Sequence, residues 1–341
     1  MELLFYCLLL SSSNYLILHG KDAIPSIIMR YLKISGGKKI SAGTSLKLLA
    51  NAGALAVMMA WGTSFLSSKV LMVDGGFTPV EVFIYRFIFA YLILLALTFK
   101  RIRANNLKDE LLLLACGLCA GSIYFVSENY ALEFTTTGNV SLLVSISPIF
   151  TTLLMVIIYK YKPKPNVIVG SVIAFGGVAC IIFSSGENFE INPKGDVMAL
   201  CASLSWAIYS IVMKRLTPIY SSLFITRKLF FYGLLTGFPL LLIQEQPFHL
   251  NLLFDLSQPR YLLNFLFLGF LCSACAYLIW NMAMDILGSI KANNYLYVQP
   301  IVTMVAAYFI LGEEVFPMGY IGCALIIGGI LISEKLKLKT A

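Results

Sequence analysis

The sequence predicts an all-α polytopic membrane protein of ten transmembrane helices, arranged as two inverted five-helix repeats. Three observations carry this prediction. First, 59% of the 341 residues are hydrophobic and 12% charged, where a soluble domain carries roughly a quarter charged residues. Water is therefore not the main solvent. Second, residues 129–177 overlay 281–329 at one constant offset without a gap. The overlay pairs Asn129 with Asn281, Ala131 with Ala283, Pro148 with Pro300, Pro165 with Pro317, Gly170 with Gly322, and Gly176-Gly177 with Gly328-Gly329. Upstream the match continues at shorter offsets through Trp61/Trp206, Lys69/Lys214 and Arg86/Arg227, as connections of different length require. Third, basic and acidic residues alternate between successive loops, the pattern that sets membrane orientation.

Ten apolar stretches follow in order, near 47–71, 80–99, 110–132, 136–158, 166–184, 195–214, 221–244, 261–284, 289–311 and 317–333. Each approaches the ~20 residues that cross the hydrocarbon core as an α-helix. Short connections carry stop signals: Gly75-Gly76 with Pro79, Pro163 with Pro165, then Pro193, Pro218, Pro259 and Pro317. The first five-helix repeat spans 47–184, the second, inverted one 195–333, and a basic cytoplasmic tail occupies 334–341. Each unit has an odd number of crossings, so the two face opposite ways.

One set of alternate loops carries Lys100, Arg101, Arg103 and Lys108, then Lys160, Lys162 and Lys164, then Lys214 and Arg215, and the tail adds Lys335, Lys337 and Lys339. This set is expected in the cytoplasm, with both ends of the ten-helix core. The other set holds Asp74, Glu133, Glu187, Glu190, Asp196, Glu245, Asp255, Glu313 and Glu314 against only Lys194 and Arg260. Residues 1–46 fall outside the repeat. Their apolar run from Leu3 to Leu18 follows Glu2 instead of a basic segment, a poor signal peptide. Two readings stay open: a cytoplasmic or interfacial extension, or an over-extended start with Met29 as the true beginning.

A charge inside the bilayer costs about 2.5–3.5 kcal/mol on insertion scales, so each one is a functional candidate. In the first repeat these are Lys69 near the outer end of the first stretch, Arg86 about two turns into the second from the same side, and Glu128 near the outer end of the third. Inversion carries Lys214 and Arg227 to the inner side, where Asp285 and Lys291 also lie. The expectation is a pair of alternating gates, Lys69/Arg86/Glu128 outside and Lys214/Arg227/Asp285 inside, against the plainer reading that the cations snorkel to headgroups or fix static helix contacts.

The fourth and ninth stretches are the most polar. Asn139, Ser141, Ser145 and Ser147 precede Pro148 in one; Asn293, Asn294, Tyr295, Tyr297 and Gln299 precede Pro300 in the other. A mid-span proline frees the carbonyl one turn earlier, which must find a partner or a cavity. These stretches are the expected cavity walls, or else bent helices glued by Ser and Asn. Trp61 and Trp206 lie mid-stretch, away from the interfacial belts, and with Tyr85, Tyr124, Tyr209, Trp280 and Tyr295 would line an aromatic pocket or simply pack. Gly117-xxx-Gly121 and Gly269-xxx-Ser273 correspond between repeats and permit close helix approach. The fifth and tenth stretches are almost wholly apolar and glycine-rich, reading as scaffold or as the face of a homodimer.

The eight cysteines, mostly inside apolar runs, read as small packing residues, and the two histidines, His19 and His249, lie outside every stretch. No metal site and no cofactor is therefore expected. The net charge of +8 sits in short clusters between apolar runs, which is not a nucleic-acid surface. Neither a phosphate-binding GxxxxGK[ST] loop nor a nucleophile elbow occurs, which argues against an ATP-driven pump and an intramembrane enzyme. A membrane-embedded sensor or scaffold is the alternative, and it would need a soluble output domain or long loops.

Taken together, the AWGTSFLSSK run at 60–69, FIYRF at 83–87, SPIF at 147–150, QPIV at 299–302 and LGEE at 311–314 resemble the EamA-type members of the drug/metabolite transporter superfamily. The resemblance covers about 47–335. It implies a ten-helix, five-plus-five carrier in a bacterial inner membrane, moving small metabolites, amino acids or drugs, commonly outward and without ATP. The family's Trp and Arg fall on Trp61 and Arg86, its mid-helix prolines on Pro148 and Pro300, and its glutamate after the ninth helix on Glu313. The equivalent Gly-Glu closing the first repeat is absent, since Tyr159, Lys160 and Tyr161 stand there.

Overall fold

The computed structural model describes residues 42–98, 102–135, 137–184, 192–244, 248–255, 257–311 and 317–335. The N-terminal extension up to residue 41, Met29 included, lies outside them, as do Glu187, Glu190, Glu245, Glu313, Glu314 and the tail beyond Lys335. Within the described residues all regular structure is helical. The helices are α1 (Ala42–Lys69), α2 (Pro79–Thr98), α3 (Leu107–Phe134), α4 (Thr137–Val144), α5 (Ser147–Tyr159), α6 (Pro165–Ser184), α7 (Pro193–Leu216), α8 (Ser222–Ile243), α9 (Pro259–Leu287), α10 (Ser289–Asn294), α11 (Gln299–Leu311) and α12 (Pro317–Lys335).

Eight helices in this set are long and apolar enough to cross a membrane, counting α4 and α5 together from Val140 to Tyr159. Their outward surfaces expose large apolar side chains such as Leu92, Val172, Phe183 and Leu242, as lipid contact requires. The helix starts follow from local chemistry. Asn106 accepts the Asp109 N–H at 2.8 Å and starts α3 earlier than the apolar run does; Asn192 and Ser221 cap α7 and α8. Thr78 and Glu81 exchange backbone and side-chain bonds of 2.9 and 3.1 Å in a capping box, with Pro79 as the first residue of α2.

The two polar stretches are broken rather than bent. After Val144 the chain turns through Ser145-Ile146, and Ser147-Pro148 opens a new helix. Pro148 thus occupies a first turn, where its missing N–H costs nothing. The carbonyl of Val144, four residues earlier, takes the Ser147 hydroxyl at 2.7 Å and the Ser203 hydroxyl of α7 at 3.4 Å. In the ninth stretch, α10 ends at Asn294, a tight 3-10 turn covers Tyr295–Val298, and α11 starts at Gln299-Pro300. There the Leu296 carbonyl is met by the Gln299 N–H.

Packing interleaves the halves. α1 lies on α9 and α11, α7 on α3 and α5, and α8 on α2 and α3, so the core forms between the repeats. At the α3–α8 crossing a Cβ on Gly117 would stand 2.4 Å from Tyr232 Cβ; at the α2–α9 crossing one on Gly269 would stand 2.6 Å from Phe89 Cβ. Gly117 adjoins one widened π-helical turn, Leu118–Ser122, and Gly269 lies in the other, Phe267–Cys275.

α6 and α12 pair antiparallel at the side of the bundle. Each presents the same two glycines to the other: a Cβ on Gly170 would lie 2.4 Å from the Gly329 carbonyl, and one on Gly177 2.6 Å from that of Gly322. Gly170, Gly177, Gly322 and Gly329 are thus occupied within the chain, whereas a Cβ on Gly176 or Gly328 would meet nothing within 4 Å. Overpacking this contact by Gly329→Val is expected to cost about 1–3 kcal/mol, read as a lowered melting temperature of the purified protein. Gly328→Val, where nothing lies within 4 Å of the added Cβ, should change it little. Equal effects at both positions would refute the close pairing.

Candidate functional site

The middle of the bundle is an aromatic cluster built symmetrically from both halves. Trp61 of α1 and Trp206 of α7, corresponding residues of the repeats, meet edge to face with ring centroids 5.3 Å apart. Tyr124 packs on Trp206 at 5.2 Å and Tyr277 on Trp61 at 5.4 Å. A π-helical turn puts its carbonyls out of the usual register, where side chains can reach them. Trp61 donates its indole N–H to the Cys272 carbonyl (2.8 Å), and Tyr277 donates its hydroxyl to the Ala120 carbonyl (2.9 Å). Each half thereby hands an acceptor to an aromatic residue of the other. Trp206 donates to Asn293 Oδ1 at 3.0 Å.

Against this cluster lies a central cavity lined by Trp61, Ser64, Phe65, Arg86, Tyr124, Phe125, Glu128, Ser141, Ser145, Ser147, Trp206, Tyr277 and Gln299. Both broken stretches face it, through Ser141, Val144, Ser145 and Ser147 on one side and Leu296 and Gln299 on the other. The space that the centre of a water-sized body can reach is about 40 Å³, room for about three waters.

Two buried charges share that wall. Arg86, 4% exposed, donates Nε–H to Ser273 Oγ at 3.0 Å and lays its guanidinium over Phe125, 4.5 Å from the ring centre. Glu128, 7% exposed, accepts the Tyr124 hydroxyl at 2.7 Å. They act on each other electrostatically without forming a direct ion pair.

A second, wider cavity adjoins the end of the bundle where Asp74 lies. It measures about 640 Å³ by the same criterion and is lined by Phe65, Lys69, Met72, Phe77, Thr78, Tyr130, Glu133 and Gln244 among others. Phe65 lines both cavities and stands between them. The vestibule's rim is tied by Glu81, which accepts the His249 N–H at 2.7 Å and holds the His249 ring nitrogen Nδ1 at 2.9 Å. Toward the opposite end the core is tied by hydrogen bonds between helices. Tyr209 donates to Asn281, Asn281 donates to Thr226 at 2.8 Å, and Ser289 donates to the Ser210 carbonyl at 2.7 Å.

Of the residues expected at a cavity, Trp61, Ser145, Trp206 and Gln299 line the central one. The others stand elsewhere. Tyr85 donates to Glu81 at 3.1 Å and packs on Phe265. Tyr209 and Trp280 are wholly buried behind the Trp pair. Asn294 donates to Ser333 of α12 at 2.8 Å, and Tyr295 to Asn51 of α1 at 3.0 Å. Pro148 and Pro300 shape the breaks from inside their helices. The side chain of Asn139 lies outside the described residues.

The expected charge clusters divide likewise. Arg86 and Glu128 sit in the central cavity, deeper than an outer gate, while Lys69 belongs to the vestibule. On the other side Lys214 lies over the Tyr159 ring at 3.9 Å, Asp285 is exposed beside Thr217, and Arg227 donates to the Thr98 carbonyl. These three do not meet. The charge pair at this end is instead Lys228 with Glu110, which also accepts the Tyr232 hydroxyl. Its only signal in the sequence was a lysine within an apolar run, and Lys228 lacks a basic counterpart in the first repeat.

The model of the EamA-like transporter family matches residues 48–183 and 193–334. An uncharacterized transporter of Clostridium kluyveri is 27% identical over 282 residues, covering 80% of this chain and 89% of that one. A probable terminal-alkyne amino-acid exporter of Streptantibioticus cattleyicolor is 26% identical over 234 residues, covering 69% and 76%. A solved crystal structure superposes with a TM-score of 0.64 at 16% identity, covering 84% of this chain and 96% of that chain, a likeness of fold alone. Two family matches in tandem, spanning nearly all the described helices, settle the classification: this chain is a member of the EamA-like transporter family.

Proposed function

We propose that this protein is a gradient-driven secondary transporter that moves a small organic solute across a bacterial inner membrane by alternating access. Ten crossings underlie this reading, with α4–α5 and α10–α11 each forming one broken crossing and α12 the last. The antiparallel α6–α12 pair, with its reciprocal glycines, and the meeting of Trp61 with Trp206 support two inverted repeats. Both ends of the core are assigned to the cytoplasm, where the basic loops lie.

The observation that carries the reading is a small central cavity between the repeats, walled by two broken helices and separated by Phe65 from a wide vestibule at one end. Broken helices at the repeat interface are where transporters hold substrate. The vestibule lies at the end with the acidic loops, so this conformation is read as open to the outside and sealed to the inside by the Tyr209–Asn281–Thr226 chain. The exporter among the relatives supports movement of a small organic solute. The function rests on binding within the chain, with no cofactor.

The test is reconstitution into liposomes and measurement of metabolite uptake, with and without an imposed pH gradient. Uptake of at least one solute above empty liposomes is expected, and Phe65→Ala should relax its size selectivity. No movement of any solute by a folded protein would falsify the transporter reading and leave a sensor or scaffold.

A further inference from the structure

We propose that the ends of α5 and α7 form a binding site for one anionic phospholipid, its phosphodiester held by Lys160, Lys214 and Arg215 around Tyr159. The site lies apart from the central cavity, and its test does not depend on what that cavity carries.

The argument starts where the two repeats disagree. At the constant offset that pairs Pro148 with Pro300, Tyr159-Lys160-Tyr161 stands where the second repeat has Leu311-Gly312-Glu313. Lys160 follows the last residue of α5 in the left-handed conformation, φ 51°, and among the described residues it is the non-glycine residue with positive φ. That turn lets the Tyr161 N–H return to the Met155 carbonyl at 3.2 Å. Glycine adopts it freely, whereas a side chain with a Cβ is strained there. The first repeat thus places a cation where its own backbone favours glycine. A local conflict of this kind marks a position held for something other than folding.

Tyr159 gathers two more cations. Lys214 Nζ lies 3.9 Å over the ring centre, and Arg215 donates Nε–H to the hydroxyl at 3.3 Å. Both side chains are exposed, and the ring gives them a common direction. The terminal nitrogens of Arg215 have no partner among the described residues, which leaves a planar fork suited to two oxygens of a phosphate. Lys162 and Lys164 follow on the same connection, also exposed. None of these five cations pairs with a carboxylate among the described residues, where the ion pairs are Lys228 with Glu110, His249 with Glu81 and Arg260 with Asp74. Asp285, the carboxylate beside Thr217, pairs with none of them either.

A soluble anion would need only the cations. The surface that runs up from them points to lipid. Ser147 meets Ser203 at 3.1 Å and Tyr159 meets Arg215 at 3.3 Å, and both pairs have the same sequence separation, 56, so α5 and α7 run parallel, side by side. The two contacts lie about 18 Å apart along the helices, and one leaflet's hydrocarbon is about 15 Å deep. Along that length Leu153, Val156 and Ile157 of α5 and Leu204 and Ile208 of α7 are exposed. Leu204, Ile208 and Arg215 share one helix face by their spacing. Acyl chains therefore have an apolar track that ends at the cations, the arrangement in which basic groups between membrane helices hold an anionic head group.

The experiment places the full chain in nanodiscs of phosphatidylcholine with a minor fraction of phosphatidylglycerol, then releases it and counts the retained lipids by native mass spectrometry. Retention of one phosphatidylglycerol in preference to phosphatidylcholine is expected. Lys214→Gln with Arg215→Gln should lower that preference about thirtyfold, the weight of two cations at an anionic surface. Tyr159→Leu keeps every charge and should still lower it about fivefold, because the cations lose their common platform. Lys160→Gly should lower it about as much while leaving the melting temperature equal or higher, since glycine relieves the backbone. Arg103→Gln with Lys108→Gln removes two exposed cations from another basic loop and should change it by less than about twofold.

No preference for phosphatidylglycerol in the unaltered chain overturns the proposal. So does a Tyr159→Leu variant that retains the lipid like its parent, or an equal loss in the Arg103/Lys108 variant, since either would reduce the effect to diffuse attraction between basic loops and an anionic surface. If excess inorganic phosphate displaces the lipid before release, the site reads a soluble anion and the lipid assignment falls.

Discussion

Lys228→Met is expected to destabilise the protein by about 3–5 kcal/mol, the cost of leaving one member of a buried ion pair alone. Lys228 is 6% exposed on α8, and its ammonium meets Glu110 of α3 directly. Glu110 also accepts the Tyr232 hydroxyl and the Ala104 N–H, the latter at 2.8 Å. Without Lys228 that carboxylate keeps its charge and loses its cation. Lys228→Met combined with Glu110→Gln should recover most of the loss, since the glutamine carries no charge, its carbonyl oxygen can still accept the Ala104 N–H, and its amide can donate to the Tyr232 hydroxyl oxygen. Denaturant unfolding of the purified variants measures both. Equal stability of the single and double variants would show that the charge balance is not what the pair provides.

The second large effect is expected at the centre. Trp206→Ala should cost about 3–5 kcal/mol, because the indole is 3% exposed and touches Trp61, Tyr124, Tyr209, Tyr277 and Trp280. Trp206→Phe keeps most of that packing and loses the bond to Asn293. Its cost should be nearer 1–2 kcal/mol, from the buried acceptor left behind. Trp61→Phe, which abandons the Cys272 carbonyl instead, should match it. Thermal melting of the three variants decides. If Trp206→Phe were as damaging as Trp206→Ala, the hydrogen bond and not the aromatic contact would be the main contribution of this residue.

Much of the architecture was legible because a bilayer imposes it on each segment separately. Apolar runs such as 166–184 and 195–214 had to become helices, since nothing else satisfies their backbone in lipid, and they became α6 and α7. The self-repeat predicted that Trp61 and Trp206 are equivalent, and they meet. The prolines were legible as disturbances in helices but not as breaks. Whether Pro148 kinks a helix or begins one depends on what reaches the Val144 carbonyl: the local Ser147 hydroxyl at 2.7 Å, and the hydroxyl of Ser203 at 3.4 Å, which sits on α7 in the other repeat.

The same limit applies to the charges. Equivalent positions in a repeat need not have equivalent partners: Arg86 finds Ser273 and Phe125, whereas Arg227 finds the end of α2. Glu110 and Lys228 were missed because their partnership joins two helices far apart in the chain. Tyr85 and Tyr295 have the aromatic polar character of cavity residues, but their hydroxyls are taken by Glu81 and Asn51.

By itself the sequence determined the solvent, the helical class, the repeat and the equivalence of Trp61 with Trp206. These follow from periodic burial and local backbone satisfaction, which each segment carries alone. Tertiary structure decided which polar groups are spent on one another and which remain free, because that turns on contacts between the halves. Of the charges proposed from the repeat, Arg86 and Glu128 are the two placed together at the central cavity, each with one edge held by a neighbour.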